Sequence, residues 1–382
     1  MGRAPVPPAL TFRSPRPILS GMAGPCTHSL SEGDSRDLSF VPDGSVGLVV
    51  TSPPYPMIEM WDGVFASQDG EIRRALAEGD GDTAFARMHG LLDPVWAEVA
   101  RVLCPGGWAC IDIGDATRTI GDRFRLYPNH SRVLQAFSAL GLDILPQILW
   151  RKQTNAPTKF MGSGMLPAGA YVTLEHEHIL VMRKGPKRSF TAAGDRQKRR
   201  ESACFWEERN AWYSDVWDFK GVRQDLPQTA ARGRSAAFPF DLPYRLISMY
   251  SVRGDTVLDP FAGTGTTCHA AMAAGRNSIG RDIDGQLVSG FAEDCGSLTE
   301  LCNRRIRERL SAHRAFVEQC RAEGRDLAYR NGPLGVPVMT AQEVDLRIEL
   351  VDTITRTPGG AVEVSYREPG QGDEMCPGKE AV

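Results

Sequence analysis

No stretch of the 382-residue chain approaches the roughly 18 consecutive apolar residues that a membrane-crossing helix needs, so no transmembrane helix is expected. The nine cysteines are odd in number and include no Cys-x-x-Cys, so neither a zinc site nor a disulfide framework is indicated. Reduced thiols in a cytoplasmic protein fit better. The seven histidines contain no His-Glu-x-x-His. His176 and His178 would share one face of a strand. They could bind a metal as a pair, but a part-exposed strand is the preferred reading and no metal is expected. Neither sign of charge prevails, since the formal net charge is -3. A nucleic-acid binder of this composition would have to concentrate positive charge locally.

The organising stretch is Thr51-Ser52-Pro53-Pro54-Tyr55. It follows the apolar run Val46–Val50, which reads as a strand buried on both faces. Each proline lacks an N–H and has a fixed φ, so the sheet cannot continue. The exit frees the Ser52 hydroxyl and the Pro53 carbonyl beside the Tyr55 ring. Two acceptors and a flat ring suit a planar group carrying an exocyclic amine. Read alone, the stretch is better explained as a proline turn after a strand.

A second loop, Asp259-Pro260-Phe261-Ala262-Gly263-Thr264-Gly265-Thr266-Thr267, stands between an expected strand, Thr256–Asp259, and an expected helix, Thr266–Ala274. Its glycines let the backbone approach a ligand, and the helix offers free N–H groups. Gly265 is not followed by Lys, which excludes a Walker A loop, and no third glycine completes Gly-x-Gly-x-x-Gly. Asp282 ends the next strand, 23 positions after Asp259, where an acid typically takes the ribose hydroxyls of a nucleoside ligand. An adenosyl cofactor without a bound pyrophosphate fits, and S-adenosylmethionine meets that description.

The two anchors in this order resemble the amino-methylating DNA methyltransferases of the β arrangement, in which the catalytic half precedes the cofactor half. Thr51–Tyr55 looks like the catalytic motif and Asp259–Thr266 like the cofactor motif. Gly33-Asp34 matches the acidic turn before the catalytic strand. Leu149–Lys152, Glu175–Leu180 and Asp215–Asp218 resemble the segments between the motifs, and Leu242–Ile247 and Ile279–Asp282 those flanking the cofactor loop. The resemblance spans about residues 26–310. It departs at Ser235-Ala236-Ala237, where a histidine is usual.

The resemblance implies a Rossmann-like, three-layer α/β fold with a mostly parallel sheet, S-adenosylmethionine as cofactor and double-stranded DNA as partner. It assigns Ser52, Pro53, Pro54 and Tyr55 to the catalytic site. It assigns Asp34, Asp259, Phe261, Gly263, Gly265, Thr266 and Asp282 to the cofactor. Phe261 would lie on the adenine, Asp282 at the ribose, Asp34 at the adenine edge and Asp259 near the methionine end. Members whose motif begins with Ser mostly methylate cytosine N4, and those with Asp or Asn mostly adenine N6, so N4-cytosine is expected and N6-adenine is the alternative. More distant readings are an RNA or protein amide methyltransferase, or a non-catalytic DNA-binding module. A cognate restriction endonuclease and a homodimer are further expected partners, in a cytoplasmic, nucleoid-associated setting.

Residues 1–25 are rich in Pro and Arg without an apolar core and read as a disordered leader. Residues 26–326 read as the methyltransferase domain, with short helices or a loop over the pocket at 61–90. Within it, residues 183–234 carry 13 basic against 7 acidic side chains and interleaved aromatics. They form either a target-recognition insert, with Arg196, Lys198, Arg199 and Arg200 on DNA, or a solvated basic loop beside an aromatic mini-core. Residues 327–382 read as a C-terminal β extension and tail, with strands expected from the alternations Val344–Leu350 and Val362–Tyr366.

Overall fold

The computed structural model describes residues 24–152, 163–221 and 238–370. The expected leader falls almost wholly outside them, as do residues 222–234 of the basic segment and the end of the tail.

The chain opens with β1 (Cys26–Glu32) and β2 (Val46–Thr51), followed by α1 (Asp62–Gln68), α2 (Gly70–Glu78) and α3 (Gly81–Val102). Then come β3 (Leu103–Ile113), a hairpin of β4 (Ala116–Ile120) and β5 (Arg123–Tyr127), and α4 (Asn129–Ala139). β6 (Asp143–Arg151), β7 (His176–Arg183), α5 (Ala193–Glu201), α6 (Trp206–Trp212) and β8 (Val216–Asp218) complete the first half. The second half holds α7 (Asp241–Tyr250), β9 (Thr256–Asp259), α8 (Thr266–Ala274), β10 (Asn277–Asp282), α9 (Gly285–Ser289) and α10 (Cys295–Ala322). The short β11 (Tyr329–Arg330) and β12 (Pro337–Val338) precede β13 (Leu350–Arg356) and β14 (Val362–Arg367).

Ten strands form one sheet in the order β13-β14-β1-β10-β9-β2-β3-β7-β6-β8. The centre, β1 through β3, is parallel throughout, whereas β7 runs antiparallel to both β3 and β6. Every residue of β2 is buried, as its continuous apolar run requires. Val49 faces the core under α1 to α4, and Leu48 and Val50 face the core under α7, α8 and α10. Helices on both faces of a mostly parallel sheet give the three-layer α/β fold.

The expected strand over Tyr171–Met182 begins only at His176, because its partner β6 ends at Arg151. At Val344–Leu350 the alternation reports burial rather than pairing. Leu346 and Ile348 are buried, but the Arg347 N–H goes to the Glu201 carbonyl (3.0 Å) and the Leu346 carbonyl accepts from Asn331. The ladder starts at Leu350. Nor is the C-terminal hairpin set apart from the main sheet: β14 pairs antiparallel with β1, and the Tyr366 hydroxyl donates to the Met272 carbonyl of α8 at 2.8 Å. Leu350→Ala, at a fully buried side chain, is therefore expected to destabilise the whole fold by about 2–5 kcal/mol. Urea unfolding followed by both circular dichroism and tryptophan fluorescence should keep one shared transition at a lower midpoint. An early transition confined to the hairpin would show that it folds by itself.

Candidate active site

β2 and β9 are neighbours in the middle of the sheet and end at the same edge. Strand order reverses there, with β10 and β1 on one side and β3 on the other. A crevice opens beyond the carboxyl ends of strands at such a point. Thr51–Tyr55 leaves β2 into that crevice, and Asp259–Thr266 leaves β9 into it.

A buried carboxylate joins the two exits. Asp259 accepts from the Thr51 hydroxyl (2.5 Å), the Thr267 hydroxyl (2.6 Å) and the Phe261 N–H (3.0 Å). Burial pushes its pKa up to about 6, although the donors from Thr267, Thr51 and Phe261 oppose the rise. Asp282 ties the loop from the other side, with Oδ2 accepting from Gly263 N (2.8 Å) and Oδ1 from Asp284 N (2.9 Å). The Gly33 N–H donates to the Asp282 carbonyl at 2.7 Å, which brings the acidic turn after β1 against the cofactor loop. Gly265 adopts φ +89°, and a Cβ there would meet the Phe291 ring at 2.8 Å, so only glycine fits without movement.

The turn after β2 is held by residues that follow β3. Asn129, fully buried, donates to the carbonyls of Pro56 (3.0 Å) and Gly114 (2.9 Å), and its Oδ1 meets His89 Nε2 at 3.0 Å. The Tyr55 ring lies on Gly114, where a Cβ would come within 3.0 Å of it. Ser52 Oγ donates to the Tyr55 hydroxyl (3.0 Å), which donates to Glu177 Oε2 (3.1 Å). Lys152 Nζ is hydrogen-bonded to Glu177 Oε1. Asp112 is buried beside them, and burial, then the Glu177 charge, hold its carboxyl well above the usual carboxylate range.

The catalytic and cofactor residues expected from the sequence line one cavity, with the exception of Gly265, which forms the left-handed turn at the start of α8. Asp34 is engaged by Arg36, whose Nε lies 2.9 Å and 3.0 Å from its two oxygens. That hydrogen bond holds the Asp34 carboxyl below its usual range. The cover expected over the pocket at 61–90 is present in Trp61, just before α1, and Phe65 of α1, but sequence reasoning missed the part that α3 adds through Leu91 and Val95. Their helical spacing reads as ordinary core. It also gave no role to Asn129, Glu177 or Lys152, although the last two sit in segments that carry the family resemblance.

Arg196, Lys198, Arg199 and Arg200 are not brought to this cavity. They lie on α5, at the opposite edge of the sheet. Arg188, which leads into α5, forks onto Asp255 (2.7 and 2.9 Å), just before β9 begins. Ser202, just after α5, accepts from the Arg253 N–H at 2.8 Å. The Arg199 guanidinium sits 5.1 Å from the Phe190 ring centre, and Arg200 is 3.6 Å from Asp345. Of the interleaved aromatics, Phe205, Trp212 and Trp217 are buried in the core, while Trp206 and Tyr213 are exposed. The mini-core reading describes the buried three.

His176 and His178 do approach each other, with ring centres 4.9 Å apart and edge-on. His178 instead stacks on His130 at 4.1 Å, and Asp115 accepts from the His130 backbone N–H (3.1 Å) at the start of α4 while its other oxygen lies 2.8 Å from His130 Nδ1. Asp115, His130 and His178 bring their ligand-type atoms within 4.8 Å of one another. The His130 and His178 rings lie 15° from parallel, and both Asp115 oxygens are engaged by His130. The trio therefore reads as the clamp that fixes α4 to the end of β3.

The raised Asp259 value carries a stability consequence with a definite sign. A carboxyl whose folded-state pKa lies above the ordinary aspartate value of about 4 favours the fold while protonated. That contribution is fully present below about pH 4 and is lost as pH rises through about 6. Urea unfolding between pH 4 and 7 should show wild type losing about 3 kcal/mol more than Asp259→Asn over this window. Parallel curves would refute the assignment.

The model of the DNA methylase family, covering both N6 and N4 members, matches residues 46–293. The Type II methyltransferase M.MthZI of Methanothermobacter thermautotrophicus is 47% identical over 344 residues, 90% of this chain and 96% of the relative. The Type II methyltransferase M.MjaI of Methanocaldococcus jannaschii is 48% identical over 280 residues, 70% of this chain and 91% of the relative. Among solved structures, a putative DNA modification methylase from Thermus thermophilus, complexed with S-adenosyl-L-methionine, aligns with TM-score 0.52 and 31% identity, covering 72% of this chain and 95% of the other. The chain belongs to the N6/N4 DNA methylase family, and is an S-adenosylmethionine-dependent methyltransferase acting on DNA.

Proposed function

We propose that the protein transfers a methyl group to the exocyclic N4 amine of cytosine in double-stranded DNA, at a base turned out of the helix into the Ser52–Tyr55 pocket. The carrying observation is Ser52 at the head of the catalytic motif, on the wall the cavity shares with Asp259 and Phe261. Serine there is the form that accompanies cytosine targets in the resembling family. The relatives named Type II methyltransferases support a modification enzyme that marks a specific DNA site beside a cognate restriction endonuclease.

The cavity's residues fit the cofactor. Asp34, Asp259 and Asp282 surround it, and the one arginine among the described residues lining it, Arg36, is already paired with Asp34. Such a wall suits a cationic ligand and opposes a pyrophosphate. Phe261, Ile283 and Leu287 add an apolar side for a flat ring. When bound, S-adenosylmethionine supplies an electrophilic methyl group on a positively charged sulfur.

The amine is a poor nucleophile because its lone pair is delocalised into the ring. The Pro53 carbonyl and Ser52 Oγ are the acceptors that would hold its N–H groups and aim the lone pair, so the chain acts mainly through orientation. Tyr55 offers a face for the extruded base, whose unstacking costs a few kcal/mol and must be offset by stacking and hydrogen bonds. Asn129 keeps this turn in register with β3.

Ser52→Ala and Tyr55→Ala are expected to lower labelled-methyl transfer to DNA at least about 100-fold, while calorimetry shows cofactor affinity within a factor of about three. Full transfer by both variants would remove the assignment. Nucleoside analysis of the product should find N4-methylcytosine, and N6-methyladenine instead would establish the alternative. The catalytic site opens at the edge opposite α5, so Arg199→Gln with Arg200→Gln should leave the salt dependence of DNA binding unchanged. A slope shallower by one or two phosphate contacts would bring α5 back to the DNA.

A further inference from the structure

Methylating an amine leaves a proton to remove. The nitrogen lone pair forms the new N–CH3 bond as the S–CH3 bond breaks, and the sulfur leaves as a neutral thioether. The positive charge is then on nitrogen, and the product becomes neutral only when that nitrogen loses a proton. The acceptors at the amine, the Ser52 hydroxyl and the Pro53 carbonyl, are too weakly basic to keep it. We propose that Glu177 receives this proton through the hydroxyls of Tyr55 and Ser52, with Lys152 opening the end of the chain to solvent. This rests on the amine-methylation reading of the same pocket.

The direction of the hydrogen bonds carries the argument. An ionised carboxylate only accepts. With Tyr55 Oη 3.1 Å from Glu177 Oε2, the phenolic proton is committed to Glu177. With Ser52 Oγ 3.0 Å from Tyr55 Oη, the phenolic oxygen must accept, so the serine proton is committed to Tyr55. Ser52, which lines the cavity, therefore presents lone pairs rather than a proton to an incoming N–H. A proton arriving on Ser52 Oγ lets the serine proton pass to Tyr55 Oη and the tyrosine proton pass to Glu177. Both hydroxyls end neutral as they began, and Glu177 ends as a carboxylic acid. Ser52 touches the substrate, whereas Glu177 and Lys152 act through Tyr55.

The surroundings keep Glu177 ready. Its side chain is 14% exposed, while Lys152, hydrogen-bonded to its other oxygen, is 39% exposed. The chain is thus covered in the middle and wet at its end. Lys152 also lies 4.5 Å from the Trp150 ring centre, which fixes the reach of its stem. The groups facing Glu177 are Lys152 just after β6, Asp112 from β3 and Tyr55. Burial, then the Glu177 charge, holds the Asp112 carboxyl well above the usual carboxylate range, and the ammonium paired with Glu177 is that of Lys152. His176 and His178 flank Glu177 in β7 and point to the other face of the strand.

The test is single-turnover transfer of labelled methyl from saturating S-adenosylmethionine to duplex genomic DNA lacking the modification, between pH 6 and 9. Tyr55→Phe keeps the ring for stacking and removes only the relaying hydroxyl, and Glu177→Gln removes the acceptor. Both are expected to be slower by at least about tenfold at pH 7, with unchanged cofactor affinity and melting temperature. Both should regain rate as pH rises, because solvent base then takes the proton directly. Wild-type rates in either variant, or slow rates whose pH profile parallels wild type, would overturn the relay. No transfer to any DNA by wild type would overturn the methylation reading itself, a result distinct from active wild type with indifferent variants.

Discussion

The active site depends on one buried carboxylate. Asp259 takes hydrogen bonds from Thr51, the last residue of β2, and from Phe261 and Thr267 in and just after the loop that leaves β9. Thr51 is 208 positions away in the chain. Methyl transfer needs donor and acceptor held near 3–3.5 Å in line, and a misplacement of about 1 Å can slow such a reaction about 100-fold. A sheet ladder sets the spacing of strands but not the paths of the loops that leave them. The Asp259 junction sets those paths relative to each other. Three donors offset much of the penalty of burying the charge, and the pKa near 6 measures what remains.

The same sheet brings the first and last described strands side by side. β1 pairs with β10, so His28 lies opposite Ser278, and the acidic turn at Gly33-Asp34 meets Asp282. An exposed edge on β1 would invite pairing with other chains, and β14 covers it. The C-terminal hairpin, which the family resemblance leaves unexplained, thus protects the strand that delivers Asp34. Contacts this distant in sequence form late in folding, because loop closure must come before they can stabilise anything. The cofactor wall, drawn from both halves, is expected to be among the last parts assembled.

What the sequence made legible was local chemistry. Two prolines after an apolar run dictate a strand exit, and a glycine loop between strand and helix dictates a close backbone approach. β9 and α8 accordingly fall where expected, at Thr256–Asp259 and Thr266–Ala274. What stayed hidden depends on which edge of the sheet a segment reaches. β7 runs antiparallel to β3, so the chain leaves it at the edge away from the pocket and carries the basic run of α5 there. Composition records the charge but not the direction of the preceding strand. Glu177 and Lys152 were hidden for a related reason. Glu177 meets Tyr55, and Lys152 meets Glu177, only because β7 and β6 lie beside β3 in that order, and no spacing in the sequence encodes that adjacency.

The acids of the cofactor wall raise a question of balance. Carboxylates left free to grip a positively charged sulfur would bind the reactant better than the neutral product, and ground-state attraction of that kind slows the transfer it precedes. Here each acid is already engaged. Asp34 faces Arg36, Asp282 accepts two backbone N–H groups and Asp259 accepts three donors. Their sign still rejects polyphosphate ligands, while their hydrogen bonds already share part of that charge with donors of the protein. Recognition then falls to shape and to directed hydrogen bonds, and the positive charge on sulfur keeps its driving force for the transfer. The carboxylate with a path to the departing proton is Glu177, on the catalytic side, where negative charge becomes useful only after the new bond has formed.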